Sequence, residues 1–474
     1  MKTDEDYFKD EEFLELLEEY EQSVRNGSPV FMDADDLADI ADYYQMEGKY
    51  DESQQAIDRA LELEPKSVVA LNYKIHVAID QKDFNAAEDY LSQLVDHQLP
   101  EYVYSRAEIW IAQDETEKAD DYLRKAFEDV PIDEYQDYVL DVANLYSDYD
   151  YNEKALEWMM RAKQENTDDF KELMGRTMFG LGKYDDSERI FNELIDRNPF
   201  QKRYWNALAN TQFMKEDYGA SVTSSEYAIA IDPSDAEGVL AKANGLYHLE
   251  NYEEALTYFE RYSEIEPNDE YGFLNQGSCL INLERFEEAV EKLSKALEVA
   301  QDNGESSCLV EIMQELAFAY CELRMPETSL YYLEQTDEMD CNHSDMDVVK
   351  GHVMLASDRP EDAEEFFKKA IQASADAPHT LLRIIVSLYD NRYVEACYRM
   401  LQQLFSMVGD DWKDGYSYMA LCCYDLKRDE DFLHYLKLAC QRNQPEAQTV
   451  LSPLFPKGMP VEEFYGYMKL NLKG

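Results

Sequence analysis

The chain has 474 residues, with 44 Lys and Arg against 101 Asp and Glu, a formal net charge of −57. A surface this acidic repels phosphate and anionic lipid. It excludes nucleic-acid binders, which need a basic stripe to displace counterions, and amphipathic membrane helices, which need Lys and Arg on their polar face. The 45% of hydrophobic and 13% of aromatic residues still supply enough apolar surface for a folded protein.

The first residues, Met1-Lys2-Thr3-Asp4-Glu5-Asp6, carry no basic stretch followed by an apolar run, and no segment approaches the ~20 apolar residues of a membrane span. The sequence therefore predicts a cytoplasmic protein. Residues 5–25 predict an acidic amphipathic helix with Phe13, Leu16, Leu17, Tyr20 and Val24 on one stripe, ended by Asn26-Gly27-Ser28-Pro29. Residues 1–33 are expected to cap the region carboxy-terminal to them.

From residue 34 a repeat begins. GLYHLENYEEALTYFERYSEIEP and the adjoining GSCLINLERFEEAVEKLSKALE superpose without a gap. The frame extends both ways through a small residue at its twentieth position: Ser53, Ala87, Ala119, Ala155, Ser187, Ser221, Ala255, Ala289, Ser329, Ala363 and Ala396, with Phe432 in a twelfth unit. The intervals are 34, 32, 36, 32, 34, 34, 34, 40, 34, 33 and 36 residues. Position 8 is Ala or Gly in ten units, position 17 is aromatic in seven, position 27 is Ala in seven, and position 32 is Pro in five. Small residues at 8 and 20 let two antiparallel helices approach closely. Proline at 32 stops the second helix and forces the preceding residue out of the helical region.

This pattern resembles the tetratricopeptide repeat (TPR) family over roughly residues 34–445. The resemblance implies an all-α protein, an α-solenoid in which antiparallel helix hairpins wind into a right-handed superhelix. The expected organisation is a capping helix at 1–33, repeats 1–8 at 34–300, an insertion loop at 301–309, divergent repeats 9–12 at 310–445 and a capping tail at 446–474. The loop is inferred from the 40-residue interval. The tail, PLFPKGMPVEEFYGYMKLNLKG from Pro453, is apolar, aromatic and slightly basic.

By the same resemblance, positions 2, 5, 9 and 12 of each first helix point into a concave groove. In unit six these are Arg203, Asn206, Asn210 and Phe213, and neighbouring units supply Asn144, Arg176 and Asn244 at position 9. A row of asparagines, each donor and acceptor, can pair with the backbone of an extended peptide whatever its side chains. The stretch Asn198–Lys215 holds three basic residues and no acidic one, so an acidic group of the peptide is expected near Arg176, Lys202 and Arg203. The Lys and Asn series with which some members of the family clamp chaperone carboxylates is not present in three consecutive units, since unit seven has Ala241 at position 6. In unit eleven, PHTLLRIIVSLY places Pro378, Leu381, Ile385 and Leu388 at groove positions over an equally apolar packing face. That apolar patch needs a cover: a partner helix, a second copy of the chain, or its own tail with Phe455, Phe464, Tyr465, Tyr467 and Met468. The tail is favoured because it is near in sequence and needs burial itself.

Catalytic signatures are missing. No HExxH, GxSxG or phosphate-binding loop occurs, and in Gly180-Leu181-Gly182-Lys183 the next residue, Tyr184, replaces the required Ser or Thr. Cys341, His343 and His352 fit no common zinc spacing. The eight cysteines, all at or after Cys279, show no paired spacing and read as small buried hydrophobes. The expectation is a non-enzymatic scaffold or adaptor without cofactor or metal, binding a protein or peptide and neither nucleic acid nor membrane. The alternative is a self-associating, homo-oligomeric or autoinhibited superhelix whose groove holds its own tail. A third reading takes the acidity as a salt adaptation.

Overall fold

The computed structural model describes residue 8 and residues 11–27, 32–46, 48–163, 166–304 and 306–472. Among the described residues there are 27 α-helices and no strand. Twenty-four of the helices alternate as first (A) and second (B) helices of twelve repeats, from Ala34–Met46 and Tyr50–Leu63 to Tyr416–Asp425 and Asp429–Arg442. The protein is an all-α solenoid. It divides into two compact units, Met1–Asp217 and Tyr218–Gly474, the division falling in the turn of the sixth repeat.

One turn chemistry recurs in all twelve repeats. Each A helix ends on a residue with positive φ, Gly48 and Gly182 in two repeats and a side-chain-bearing residue in the other ten, from Lys82 to Lys427. In the seventh repeat the Glu250 N–H donates to the Tyr247 carbonyl and the Asn251 N–H to the Leu246 carbonyl. This pair of bonds satisfies the last free carbonyls of the helix. The second of them, which spans more of the chain, recurs in every repeat at 2.7–3.0 Å. Helix B then starts two residues after the left-handed one, at Tyr50, Phe84, Tyr184, Tyr252 or Phe286 for example.

The small positions form the contact within each hairpin. Outside unit eleven, residues at position 20 are at most 1% exposed, and the Ser53 and Ser329 hydroxyls donate to the carbonyls of Ala41 and Ala317 at position 8, at 2.7 and 2.6 Å. Where position 8 is glycine, a Cβ would strike the side chain at position 24: Phe191 against Gly175, Leu293 against Gly277, Phe367 against Gly351.

The turns correct the register of unit eleven. Its left-handed residue is Arg392, which makes the fully buried Cys397 the twentieth residue and leaves Ala396 only partly buried. The last two intervals become 34 and 35. A one-residue shift turns a helix by about 100°, so Leu381, Ile385 and Leu388 do not fall at the repeat positions expected to face a groove. Ile385 and Leu388 are 0% and 8% exposed within the core of the carboxy-terminal unit, and Leu381 packs at its margin. In the corrected register the repeat positions 2, 5, 9 and 12 are His379, Leu382, Val386 and Tyr389. Apolar residues on every side of this helix made the two registers indistinguishable by pattern; the Arg392 turn chooses between them.

The ends pack locally. Helix Glu11–Asn26 buries Phe13, Leu17 and Tyr20 against Leu37, Ile40 and Ala41 of the first repeat, while the expected residues 5–7 and 9–10 of that helix and Ser28-Pro29 lie outside the described residues. The extra residues of the 40-residue interval lengthen helix Phe286–Asn303 to 18 residues. The Asn303 amide and the Ser306 hydroxyl then donate to Glu270 at 2.9 and 2.6 Å; Glu305 is outside the described residues. The tail forms helices Gln444–Leu451 and Val461–Asn471. The latter packs on Asp429–Arg442 and Gln444–Leu451, burying Phe464 and Met468 and stacking Phe464 on Phe455 at 3.8 Å. The tail therefore caps the twelfth repeat rather than covering unit eleven. The helix Ala377–Asp390 is covered instead by His343–Ala356 and Val394–Met407, its neighbours in the stack.

Candidate functional site

Side chains of successive A helices bridge one another. In the amino-terminal unit the Ser105 hydroxyl donates to Asn72 Oδ1 at 2.5 Å, the Tyr149 hydroxyl to Glu108 Oε1 at 3.1 Å, and the Tyr104 hydroxyl to Asp141 Oδ2 at 3.1 Å. The same ladder carries the predicted groove residues. Arg176 donates to Asn144 Oδ1 at 3.2 Å and pairs with Asp148 at 2.7 Å, all three side chains being exposed. Arg203 pairs with Glu172 at 3.0 Å. Burial pushes the Glu172 carboxyl up, against the pull of Arg203 and Arg176. The two guanidiniums are therefore already charge-balanced by the preceding repeat.

The other predicted residues are more enclosed. Asn206 is 2% exposed, and Asn210 and Phe213 are half-buried on the same helix, Lys202–Met214. Asn244, in the carboxy-terminal unit, is half-buried and accepts from the Tyr271 hydroxyl at 3.5 Å. The structure thus brings Asn144 and Arg176 together directly, while Asn206 is buried among the packing residues of its helix.

Sequence reading missed two arrangements. At position 7 of four A helices a cation reaches back to a carboxylate of the preceding repeat, on its B helix for Lys74 to Asp58 and Lys242 to Glu226 at 2.7 Å and for Arg106 to Glu88, and in the 3-10 turn that follows that helix for Lys350 to Asp337 at 2.5 Å. The three lysines are 3–7% exposed. Their recurrence at one repeat position was the available signal. The second is the buried Asp120, which accepts from Trp158 Nε1 at 2.9 Å and Arg124 Nε at 2.7 Å; its partners lie on two B helices, and nothing local announces the pairing.

In the carboxy-terminal unit, Glu315 sits on helix Leu309–Glu322 one turn from Glu311. Burial, with Glu311 adding, pushes its carboxyl up to about 7. An acid whose folded value lies above its unfolded one keeps its proton longer in the folded state. Its contribution therefore falls as pH rises from about 4.5 through 7 and stays low above that. Glu315→Gln should raise stability by about 1–2 kcal/mol at pH 8, allowing for solvent near the carboxyl, and by nothing measurable near pH 4. Urea titrations at the two pH values check this.

All eight thiols are free, with Cys397 and Cys422 Sγ 3.1 Å apart in the core. Among the described residues no group of three His, Cys, Asp or Glu could hold a metal, and no helix is long and apolar enough to cross a membrane.

A sequence model of the tetratricopeptide repeat matches residues 39–102, 173–236 and 240–306. Those three segments are tetratricopeptide repeats, and the twelve hairpins of the chain follow the same pattern. A second model, anaphase-promoting complex subunit 5, matches residues 71–170, within the TPR array. No curated protein sequence matches this TPR chain. Solved structures that resemble it include yeast Tom70, at 12% identity over 93% of this chain and 96% of that one, TM-score 0.44. YrrB, described as a TPR protein with an unusual peptide-binding site, is 21% identical over 40% of this chain and 95% of its own, TM-score 0.34. A thermophilic TPR protein of Thermus thermophilus, TTC0263, is 18% identical over 40% of this chain and 100% of its own, TM-score 0.32. A TPR array is in general terms a scaffold for protein interaction.

Proposed function

We propose that the protein is a non-enzymatic scaffold or adaptor that holds an extended segment of a protein partner along the A-helix face of its repeats. The observation that carries the reading is the exposed Asn144–Arg176–Asp148 cluster. The Asp148 carboxylate fixes the Asn144 amide on its own helix and the Arg176 guanidinium of the next repeat, with donors and acceptors left to meet a peptide backbone. Arg203, Asn206, Asn210 and Phe213 occupy groove positions of the sixth repeat in the same unit, and Asn244 is the corresponding residue of a repeat in the carboxy-terminal unit. The match of residues 71–170 to a subunit of a multi-protein complex supports an adaptor over a passive spacer. The position of the tail helix, on Asp429–Arg442, gives no support to a groove filled by the tail.

The test is to select peptides on an immobilised library with the intact chain and to re-measure them with Asn144→Ala/Arg176→Ala. An exposed ion pair of this kind contributes at most about 1 kcal/mol to folding, so the variant should keep its helical content. Affinity for the selected peptides should drop at least tenfold; unchanged affinity would sink the reading.

A further inference from the structure

A cavity of about 730 Å³ opens in the amino-terminal unit where the loops before helices Pro100–Ala112 and Tyr135–Asp148 approach helix Thr116–Phe127. Three tyrosines line it, Tyr104, Tyr122 and Tyr138. Two of them are held by their hydroxyls, Tyr104 donating to Asp141 and Tyr138 to the Leu123 carbonyl at 2.9 Å, so their rings stand fixed with centroids 5.6 Å apart. Four carboxylates share the lining: Asp129, Glu134, Asp137 and Asp141. Lys125 and His97 complete its titratable groups.

What separates this cavity from the rest of an acidic surface is that four carboxylates share one concave lining with three tyrosine rings, and that Lys125, which also lines it, pairs with none of them. Several carboxylates between the helices of this unit have cationic partners: Asp148 with Arg176, Glu172 with Arg203, Asp120 with Arg124, Glu88 with Arg106. Among the described residues none of the four cavity carboxylates has a Lys, Arg or His nitrogen within ion-pairing distance. Burial, together with the neighbouring Asp137, raises Asp141 above the usual carboxylate range even though the Tyr104 hydroxyl pulls it down. Like charges crowded beside low-dielectric rings repel one another, and a guest cation relieves that repulsion. Tyrosine faces attract a cation in addition, and a planar guanidinium, weakly hydrated and able to take two carboxylate oxygens at once, gains more from such a site than an ammonium. In the two loops that close the cavity, Val95 and Ile132 are 73% and 84% exposed, offering apolar contacts to residues flanking the cation.

We propose that this cavity is a docking site for an arginine side chain presented between apolar residues of a protein partner. None of the groove residues Asn144, Arg176, Arg203, Asn206, Asn210, Phe213 or Asn244 lines it, so the site stands or falls independently of the groove.

The probe is the tripeptide Ac-Leu-Arg-Leu-NH2, monitored by saturation-transfer NMR on the full chain at physiological salt, with Ac-Leu-Gln-Leu-NH2 as the uncharged comparison. The arginine peptide should give a saturable signal, and the glutamine peptide should bind at least tenfold more weakly. Asp129 and Asp137 are exposed and their neutral variants should fold, as circular dichroism will verify. Asp129→Asn/Asp137→Asn should lose at least tenfold in affinity, whereas Glu287→Gln/Glu291→Gln, the same change in charge in the other unit, should lose nothing. Absence of saturation, or equal losses in the two double variants, overturns the proposal, since the latter is the signature of diffuse attraction to an acidic surface.

Discussion

Trp158→Ala should cost the amino-terminal unit about 3–5 kcal/mol, the usual range for removing a buried indole. The ring is fully buried, with Phe127 and Tyr138 at 5.6 and 6.2 Å and the Arg161 guanidinium 4.4 Å over its face. Its Nε1 is also one of the donors that keep Asp120 charged. Burial pushes that carboxyl up, but bonds from Arg124 and Trp158 and the nearby Lys154 together hold it below the usual carboxylate range. The stabilisation this represents is present above the unfolded carboxylate value and is lost as pH falls through the folded one. Trp158→Phe keeps most of the apolar volume and removes only the donor, so it should cost about 1–2 kcal/mol. Because each repeat is stabilised chiefly by its neighbours, the damage in the alanine variant should concentrate in residues 116–161. Hydrogen exchange should show protection lost there and kept in the carboxy-terminal unit. A parent-like melting curve and exchange pattern would contradict the role given to this residue.

Gly351→Val should cost about 3 kcal/mol, by overpacking rather than by a cavity. A Cβ at this position would lie 2.6 Å from Phe367 Cδ1 and 2.8 Å from Cζ, with Cε1 closer still, so the ring must move. Phe367 is 8% exposed in the core of the carboxy-terminal unit and has little room to do so. Shrinking the ring should rescue the change: Gly351→Val/Phe367→Ala should be less destabilised than the sum of the single variants by at least about 1 kcal/mol. Gly466→Ala, in helix Val461–Asn471 with nothing within 4 Å of the added Cβ, should be neutral or gain up to about 1 kcal/mol from helix propensity. Guanidinium titrations of the four variants measure the cycle. Additive costs would mean that positions 8 and 24 are not the contact that holds the hairpin.

The repeats themselves were open to pattern reading because their determinants are local. A small residue at 8, another at 20 and a proline near 32 act within one hairpin, and twelve copies in one frame make the sum unambiguous. Charge balance at the positions expected to face a groove was not open to it. Asn198–Lys215 reads as a basic island, yet Arg203 is met by Glu172 and Lys215 by Asp185 and Glu188. Those partners come from the preceding repeat, and helical periodicity says nothing about side chains so far apart in the chain. The Asp129–Glu134–Asp137–Asp141 set looked like four more carboxylates in a chain of 101 acidic residues; only the cavity they share with three tyrosine rings sets it apart.

Residue order was enough for the family, the twelve hairpins, the all-α class and the small-residue contacts, since each depends on residue size and backbone preference within a single repeat. The register of unit eleven, the docking of the tail on Asp429–Arg442 and the pairing of carboxylates with cations emerged only once the helices were packed. In each case the alternatives were equal in local pattern. A Val-Ile-Leu helix can present either of two faces at no difference in periodicity, and the left-handed turn at Arg392 settles which one packs. An aromatic tail can bury itself on any apolar surface within reach, and the free end of the last hairpin is the nearest one to be covered. An acidic chain offers far more carboxylates than cations, and which of them stay unpaired depends on distances that exist only once the repeats are stacked.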